Sequence, residues 1–247
     1  MHKTTLKNIA LTGSSVAMAG AGPFKLKTVV RISTSLGKLK MYKRDVALIS
    51  DHAAKSPEGL IDVVEFVLCT IQAGLSTVKA QRLDIAETGL SSRFLWGKKA
   101  EGLAYIQTHA DWLWLKLHHL KEKGPSNPEV IADATLLLMQ VPNLGMVKAS
   151  FVLQCLGFNT ACIDSHNLKR LGMKPSAVKV SPKLSKDKQR AKVLAYVEMC
   201  QKPADLQITG AEWWWNIWCD HVAGNQANRR LDTGDAVSAY HVDCVIL

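Results

Sequence analysis

Long apolar runs, closely paired cysteines and acidic residues are all scarce in this chain of 247 residues. No apolar run approaches the roughly 20 residues needed to cross a bilayer, which argues against a membrane protein. The six cysteines, at 69, 155, 162, 200, 219 and 244, include no CxxC pair, and several sit in apolar stretches such as FVLC and FVLQC. That usage predicts reduced, buried thiols in a reducing compartment rather than a disulfide frame or a zinc site. The opening stretch has a basic tip and small residues, but Thr12, Gly13, Ser14 and Ser15 make its middle too polar for an export signal. Asp and Glu number 21 against 31 Lys and Arg, leaving a formal charge of +10.

With 47% hydrophobic and 21% charged residues and a mean hydropathy of +0.02, the chain reads as soluble and globular, one large domain or two small ones. The positive excess is clustered. Lys25, Lys27, Arg31, Lys38, Lys40, Lys43 and Arg44 crowd the N-terminal part, and Lys179, Lys183, Lys186, Lys188, Arg190 and Lys192 form a second group. Such clusters attract polyanions, nucleic acid first, although a solvated basic surface with no ligand reads the same way.

Residues 27–43 combine a β-branched run, a Ser-Leu-Gly turn and the alternating KLKMYK, which suggests a short β-hairpin. After Asp45 the pattern is helical. Ser56-Pro57-Glu58 and Asn127-Pro128-Glu129 are each a capping residue followed by Pro at the first helical position, so helices should begin there. The first, through LIDVVEFVLCTIQ, is apolar around most of its circumference and should be central. Between the two, a long amphipathic helix carries Leu103, Ile106, Ala110, Leu113 and Leu117 on one stripe. Further helices are expected around 186–201 and 210–220.

The stretch VPNLGMVKAS, residues 141–150, breaks an apolar helix with Pro142, Asn143 and Gly145 and then restarts one. A chain turning this tightly before a helix leaves its first amide N–H groups unpaired. With the helix dipole behind them, those amides suit a phosphate. Gly145 permits close backbone approach, Asn143 tolerates positive φ, and Lys148 adds a charge one turn in. Alone, such a corner is more often a plain connection. Here it is followed by a short apolar helix, Gly157, an extended TACI, and Asp164 heading a new helix.

In this order of motifs the chain resembles the helix-hairpin-helix DNA glycosylase superfamily. VPNLG matches its hairpin, Ala149 its following helix, and Ile163-Asp164-Ser165-His166 its Val-Asp-x-His segment, with Gly145 and Asp164 separated by 19 positions. Upstream, FVLCTIQAGLSTVKA (66–80) and GKKAEGLAYI (97–106) resemble two further helices of the family, so the likeness spans roughly residues 55–172. The resemblance implies a mainly α, two-lobed fold with a DNA cleft between the lobes. One lobe would span 55–164, including the hairpin at about 136–157, and the other 1–54 with 165–247. It implies double-stranded DNA as partner, a monomer, and a cytoplasmic, nucleoid or nuclear location. No cofactor is required, although a structural Na, K or Mg ion at the hairpin is compatible with it. One branch of the family carries an iron–sulfur cluster on four closely spaced cysteines. Cys200, Cys219 and Cys244, at gaps of 19 and 25, do not provide that spacing.

The implied chemistry is hydrolysis of the N-glycosidic bond of a damaged, mismatched or modified base flipped from the duplex. A carboxylate at Asp164 would stabilise the oxocarbenium-like sugar and orient or deprotonate a water; the plainer role of Asp164 is a helix cap. DNA contacts would fall to Pro142, Asn143, Gly145, Val147, Lys148 and His166, with Gln72 filling the place of the extruded base. In family members that also cut the strand, a lysine on the helix after the hairpin attacks C1′. Val147 stands at that position and Lys148 one residue later, about 100° around the helix. This favours a water nucleophile, with a lyase through Lys148 as the alternative and a non-catalytic DNA-binding module as another. Trp214, Trp215, Trp218 and His221 are candidates for the base pocket. Adjacent tryptophans on a helix diverge by about 100°, so not all of residues 213–215 can face the core.

Overall fold

The computed structural model describes residues 46–202, apart from Leu48 and Ala54, and residues 208–215; the side chains of Leu75, Ser76, His166 and Arg170 are also left out. The β-hairpin expected at 27–43, the N-terminal basic cluster, Trp218 and His221 lie outside these residues. Among the described residues the chain is helical, with no strand. After helical residues at 46–47, 49–53 and 55, the main helices are α1 (Pro57–Cys69), α2 (Leu75–Thr88), α3 (Lys99–Lys123), α4 (Pro128–Leu138), α5 (Met146–Cys155), α6 (Ser165–Arg170) and α7 (Lys186–Gln201). A last helical segment covers 210–215.

Local chemistry sets the helix starts. Asn127 caps α4 through Oδ1, which accepts from Glu129 N at 3.0 Å, with Pro128 at the first helical position. Ser185 caps α7 through its hydroxyl and Lys188 N. Ser56 occupies the N-cap of α1 ahead of Pro57 but makes no side-chain capping bond there. α1 is the central element: Leu60, Val63, Val64, Phe66, Val67, Leu68 and Cys69 are all buried. It packs on α3, whose buried stripe is Leu103, Ile106, Ala110, Leu113 and Leu117, and also on α2 and α5.

α4 lies between α5 and α7. Arg190 of α7 clamps it from outside, reaching Glu129 Oε2 at 2.6 Å and Asp133 Oδ1 at 2.9 Å. That charge of the second basic cluster is thus spent on packing, whereas Lys179, Lys183, Lys186 and Lys188 stay exposed. One continuous core runs from Val46 to Trp215, joining segments on both sides of residue 164.

Candidate nucleic-acid interface and carboxylate site

The corner between α4 and α5 is built by residues 139–145. Leu144 N donates to Val141 O at 3.1 Å, closing a tight turn around Pro142 and Asn143. Asn143 takes φ +71°, in the left-handed region that Asn tolerates better than other residues with a Cβ. Val141 and Leu144 point into the core and anchor the turn. Gly145 is extended (φ −76°, ψ 172°), exposed, and N-caps α5 with no side chain over the helix end. A Cβ at Gly145 would meet nothing within 4 Å, so the space beside the start of α5 is open. The Gly145 carbonyl accepts from Lys148 N and Ala149 N at 2.9 Å each. A cation at this hairpin would have to share carbonyls already used by Leu144, Lys148 and Ala149.

Two other helix ends meet this corner. Gly102, in the first turn of α3, packs directly against Pro142 O, where a Cβ would fall inside the 3.0 Å limit that real Cβ contacts respect. At the end of α1, the Thr70 hydroxyl donates to Val67 O at 2.6 Å and accepts from Lys148 Nζ at 3.1 Å. Lys148 therefore turns inward, its ammonium also lying 5.3 Å from the centre of the Phe151 ring. Val147 is half-buried against the core. Two residues beyond Thr70, exposed Gln72 holds φ +57°. A residue with a long side chain kept in that region on an exposed turn is a strained, outward-pointing feature.

Asp164 lies at the end of the extended segment 160–163, which leads into α6. The segment has no sheet to pair its backbone, so side chains do so. Gln154 of α5 accepts from Cys162 N through Oε1 (3.2 Å) and donates through Nε2 to Ala211 O (2.9 Å). Tyr196 of α7 donates to Ala161 O (2.8 Å) and accepts from Ile163 N (3.0 Å). Asn167 donates to Cys162 O at 3.3 Å. The half-buried Asp164 carboxylate caps α6, Oδ1 accepting from Asn167 N at 3.0 Å. The capping role is therefore real, and it fixes the orientation of the carboxyl group. Both Asp164 and Lys148 are near enough for their charges to act on the Cys162 thiol. Burial chiefly pushes that thiol up to about 11, Lys148 pulling it down and Asp164 pushing it up. Cys69 and Cys200 are pushed up to about 12, mainly by burial. The described cysteines are free and buried or half-buried, protonated near neutral pH, and unsuited to act as thiolate nucleophiles.

Two of the indole rings expected at a base pocket, Trp214 and Trp215, sit in the core. Trp214 is buried, its indole N–H donating to Cys200 O at 3.1 Å, and Trp215 packs on Phe151. Divergence around the helix leaves Trp213 only partly buried, edge-on to Trp214. His166 lies on α6, its side chain among those left out. Gln154 and Tyr196 were not legible as site residues, because their partners are backbone atoms 8 to 57 positions away in sequence. Lys99, buried to 1% exposure beside the hairpin, was also missed; its only sequence sign was the Lys-Ala pair in GKKAEGLAYI.

Compared with known protein families, curated proteins and solved structures, the chain finds no match.

Proposed function

We infer that the chain is a DNA glycosylase that hydrolyses the N-glycosidic bond of a damaged, mismatched or modified base flipped out of duplex DNA. The observation that carries this reading is the left-handed Asn143 in a Pro142–Gly145 turn that leads into the N-terminal amides of α5, which no side chain caps. The hairpin of the family that the chain resembles carries glycine here, and Asn143 adopts the left-handed conformation that glycine takes freely. A phosphate held at those amides gains from the helix dipole as well as from the N–H groups.

The chemistry falls to Asp164. As the C1′–N bond breaks, its electron pair leaves with the base and positive charge grows on the sugar. The carboxylate offsets that charge, and a water oriented by it adds oxygen to C1′ while its proton passes to the carboxylate or the departing base. A water nucleophile is favoured over Lys148 because Val147 occupies the position after the hairpin where an attacking lysine stands in strand-cutting relatives. Lys148 is moreover bound to Thr70.

Mass spectrometry of free bases released from a panel of damaged and naturally modified duplexes tests this reading. Wild type should release a base, and Asp164→Asn should abolish release while leaving duplex affinity within about two-fold, because Asn caps helices as well as Asp. Duplex binding with no base released from any substrate would instead favour a non-catalytic binding module.

A further inference from the structure

Nine Lys and Arg residues fall within positions 169–192, where Asp187 is the only acidic residue, so this stretch alone carries a net +8 of the chain's formal +10. One of those charges is spent: Arg190 is held by Glu129 and Asp133. Lys169, Lys174, Lys179, Lys183, Lys186 and Lys188 are exposed, and none has a carboxylate partner among the described residues. So many like charges kept together without counter-charges repel one another, a cost that a bound polyanion removes.

The backbone between α6 and α7 is fixed by bonds of its own. Val178 is buried. Gln189 donates through Nε2 to Leu184 O at 2.8 Å, Leu184 N donates to Ser181 O at 3.2 Å, and Lys192 Nζ reaches back to Ser176 O at 3.4 Å. The lysines thus project from set positions, which lowers the ordering cost of binding.

The placement follows from the pairing of α7 with α4. Gln201, at the end of α7, donates to Ser126 O at 3.0 Å, just ahead of α4, whereas Arg190 reaches Glu129 and Asp133 within it. The two helices therefore run in opposite directions. The first turn of α7, with Lys186 and Lys188, points towards the end of α4 at Leu138, from which the hairpin leaves. The other end of the stretch begins at Lys169, five positions after Asp164.

The residues between the lysines narrow the choice of polyanion. No Phe, Trp or Tyr occurs between Phe158 and Tyr196, and the intervening positions include Pro175, Ser176, Ser181, Pro182 and Ser185. A protein partner is gripped at its centre by aromatic side chains, and a single strand by bases stacked on them. A surface of ammonium and hydroxyl groups suits phosphates whose bases are turned away, the outside of a duplex.

We propose that residues 169–188 form a second grip on duplex DNA, a lysine surface that takes the sugar-phosphate backbone beyond the part held at the hairpin. The choice of partner rests on the DNA reading above. The grip reads no sequence and sets the duplex against the face that carries both the hairpin and Asp164.

The test measures affinity of the full chain for an undamaged duplex across a salt series, so that no base needs to be released. Lys183→Gln with Lys186→Gln is compared with Lys116→Gln with Lys123→Gln, a pair on the exposed face of α3 that removes the same charge; all four residues are exposed. Each lost phosphate contact should reduce the slope of log affinity against log salt by about 0.9, so the loop pair should reduce it by roughly two and weaken binding near 0.15 M salt at least about ten-fold. The α3 pair should change the slope by less than about half a unit. Equal effects of the two pairs overturn the proposal and leave the DNA reading standing. A single strand bound as tightly as the duplex through the same lysines overturns the duplex assignment. Loop-dependent duplex binding with no base released from any modified substrate supports the grip and sinks the glycosylase reading. Binding of poly-L-glutamate but of no duplex overturns both.

Discussion

Replacing Gly102 with alanine sets two backbone effects against each other. In a helix interior, alanine is favoured over glycine by roughly 1 kcal/mol, so on propensity alone the substitution stabilises α3. The added Cβ, however, would point at Pro142 O, well inside the 3.0 Å that real Cβ atoms essentially never breach. Both sides of the clash are backbone, which cannot rotate away as a flexible side chain would. Relief requires α3 and the hairpin to separate by at least about half an ångström, and overpacking of this kind costs about 1–3 kcal/mol. The upper part of that range applies, because Leu68 side-chain carbons lie 3.4 Å away on the same side. The net expectation is a loss of about 1–2 kcal/mol, read as a fall of roughly 0.5 M in the urea midpoint at unchanged slope. Because the displaced group is the hairpin itself, duplex affinity should fall with stability, and a more distant core variant matched in stability should leave affinity alone. An alanine variant as stable as wild type, with undiminished duplex binding, would refute the packing of α3 onto the hairpin.

Asn143 gives a sharper test of the turn. Asn143→Gly should keep duplex affinity and change stability by under about 1 kcal/mol, whereas Asn143→Val, forcing a β-branched residue to φ +71°, should cost about 1–2 kcal/mol and weaken binding; equal behaviour of the two would remove the left-handed turn from the account. Tyr196→Phe deletes both bonds to the segment, stranding the buried Ile163 N–H and leaving Ala161 C=O only the weak Cys200 thiol at 3.7 Å, so chemical denaturation should report a loss of about 2–3 kcal/mol, with base release reduced more than duplex affinity. For Lys99 the sign follows from burial lowering its proton affinity in the folded state, Lys148 reinforcing it. The unfolded chain binds that proton more readily, so wild-type stability rises with pH from the lowered folded value up to about 10.4 and is flat above it. Lys99→Met should therefore be more stable than wild type at pH 7, by a margin that shrinks as pH approaches 10, and a wild type more stable at pH 7 would show that the ammonium has a favourable partner.

What sequence could and could not reveal follows the range of the interactions involved. Helix starts at Pro57, Pro128 and Lys186 were legible because a capping residue and the first turn are neighbours in the chain. The apolar stripe of α3 was legible because 3.6-residue periodicity is a local pattern. The turn at Asn143 was legible too, since positive φ is a property of one residue. The supports of Asp164 were not. Gln154 looks like any polar residue in an apolar helix until its amide is seen to bridge Cys162 and Ala211. Lys99 reads as an ordinary first-turn lysine until the fold buries it to 1% exposure. The tryptophans divide as helical divergence requires: Trp214 and Trp215 are buried, against Cys200 of α7 and Phe151 of α5, while Trp213 is only partly buried, a split that depends on partners far away in sequence.

On the proposed reading, α5 would link binding to chemistry. Its first residues carry the amides that would face a phosphate, and Gln154, near its other end, holds the backbone of the segment that carries Asp164. Nine residues of helix at 1.5 Å each separate Gly145 from Gln154, a span of roughly 13 Å. A helix resists stretching, so the distance from phosphate grip to carboxylate is set by α5 and by one amide bond from its side chain. Tyr196 pins the same segment from α7, and α7 reaches α4, and thus the other side of the hairpin, through Arg190. The carboxylate is therefore referenced to the hairpin along two routes that share no residue. A substitution on one route should loosen Asp164 without freeing it, and substitutions on both, Gln154→Leu with Tyr196→Phe, should reduce base release by more than the product of their separate effects.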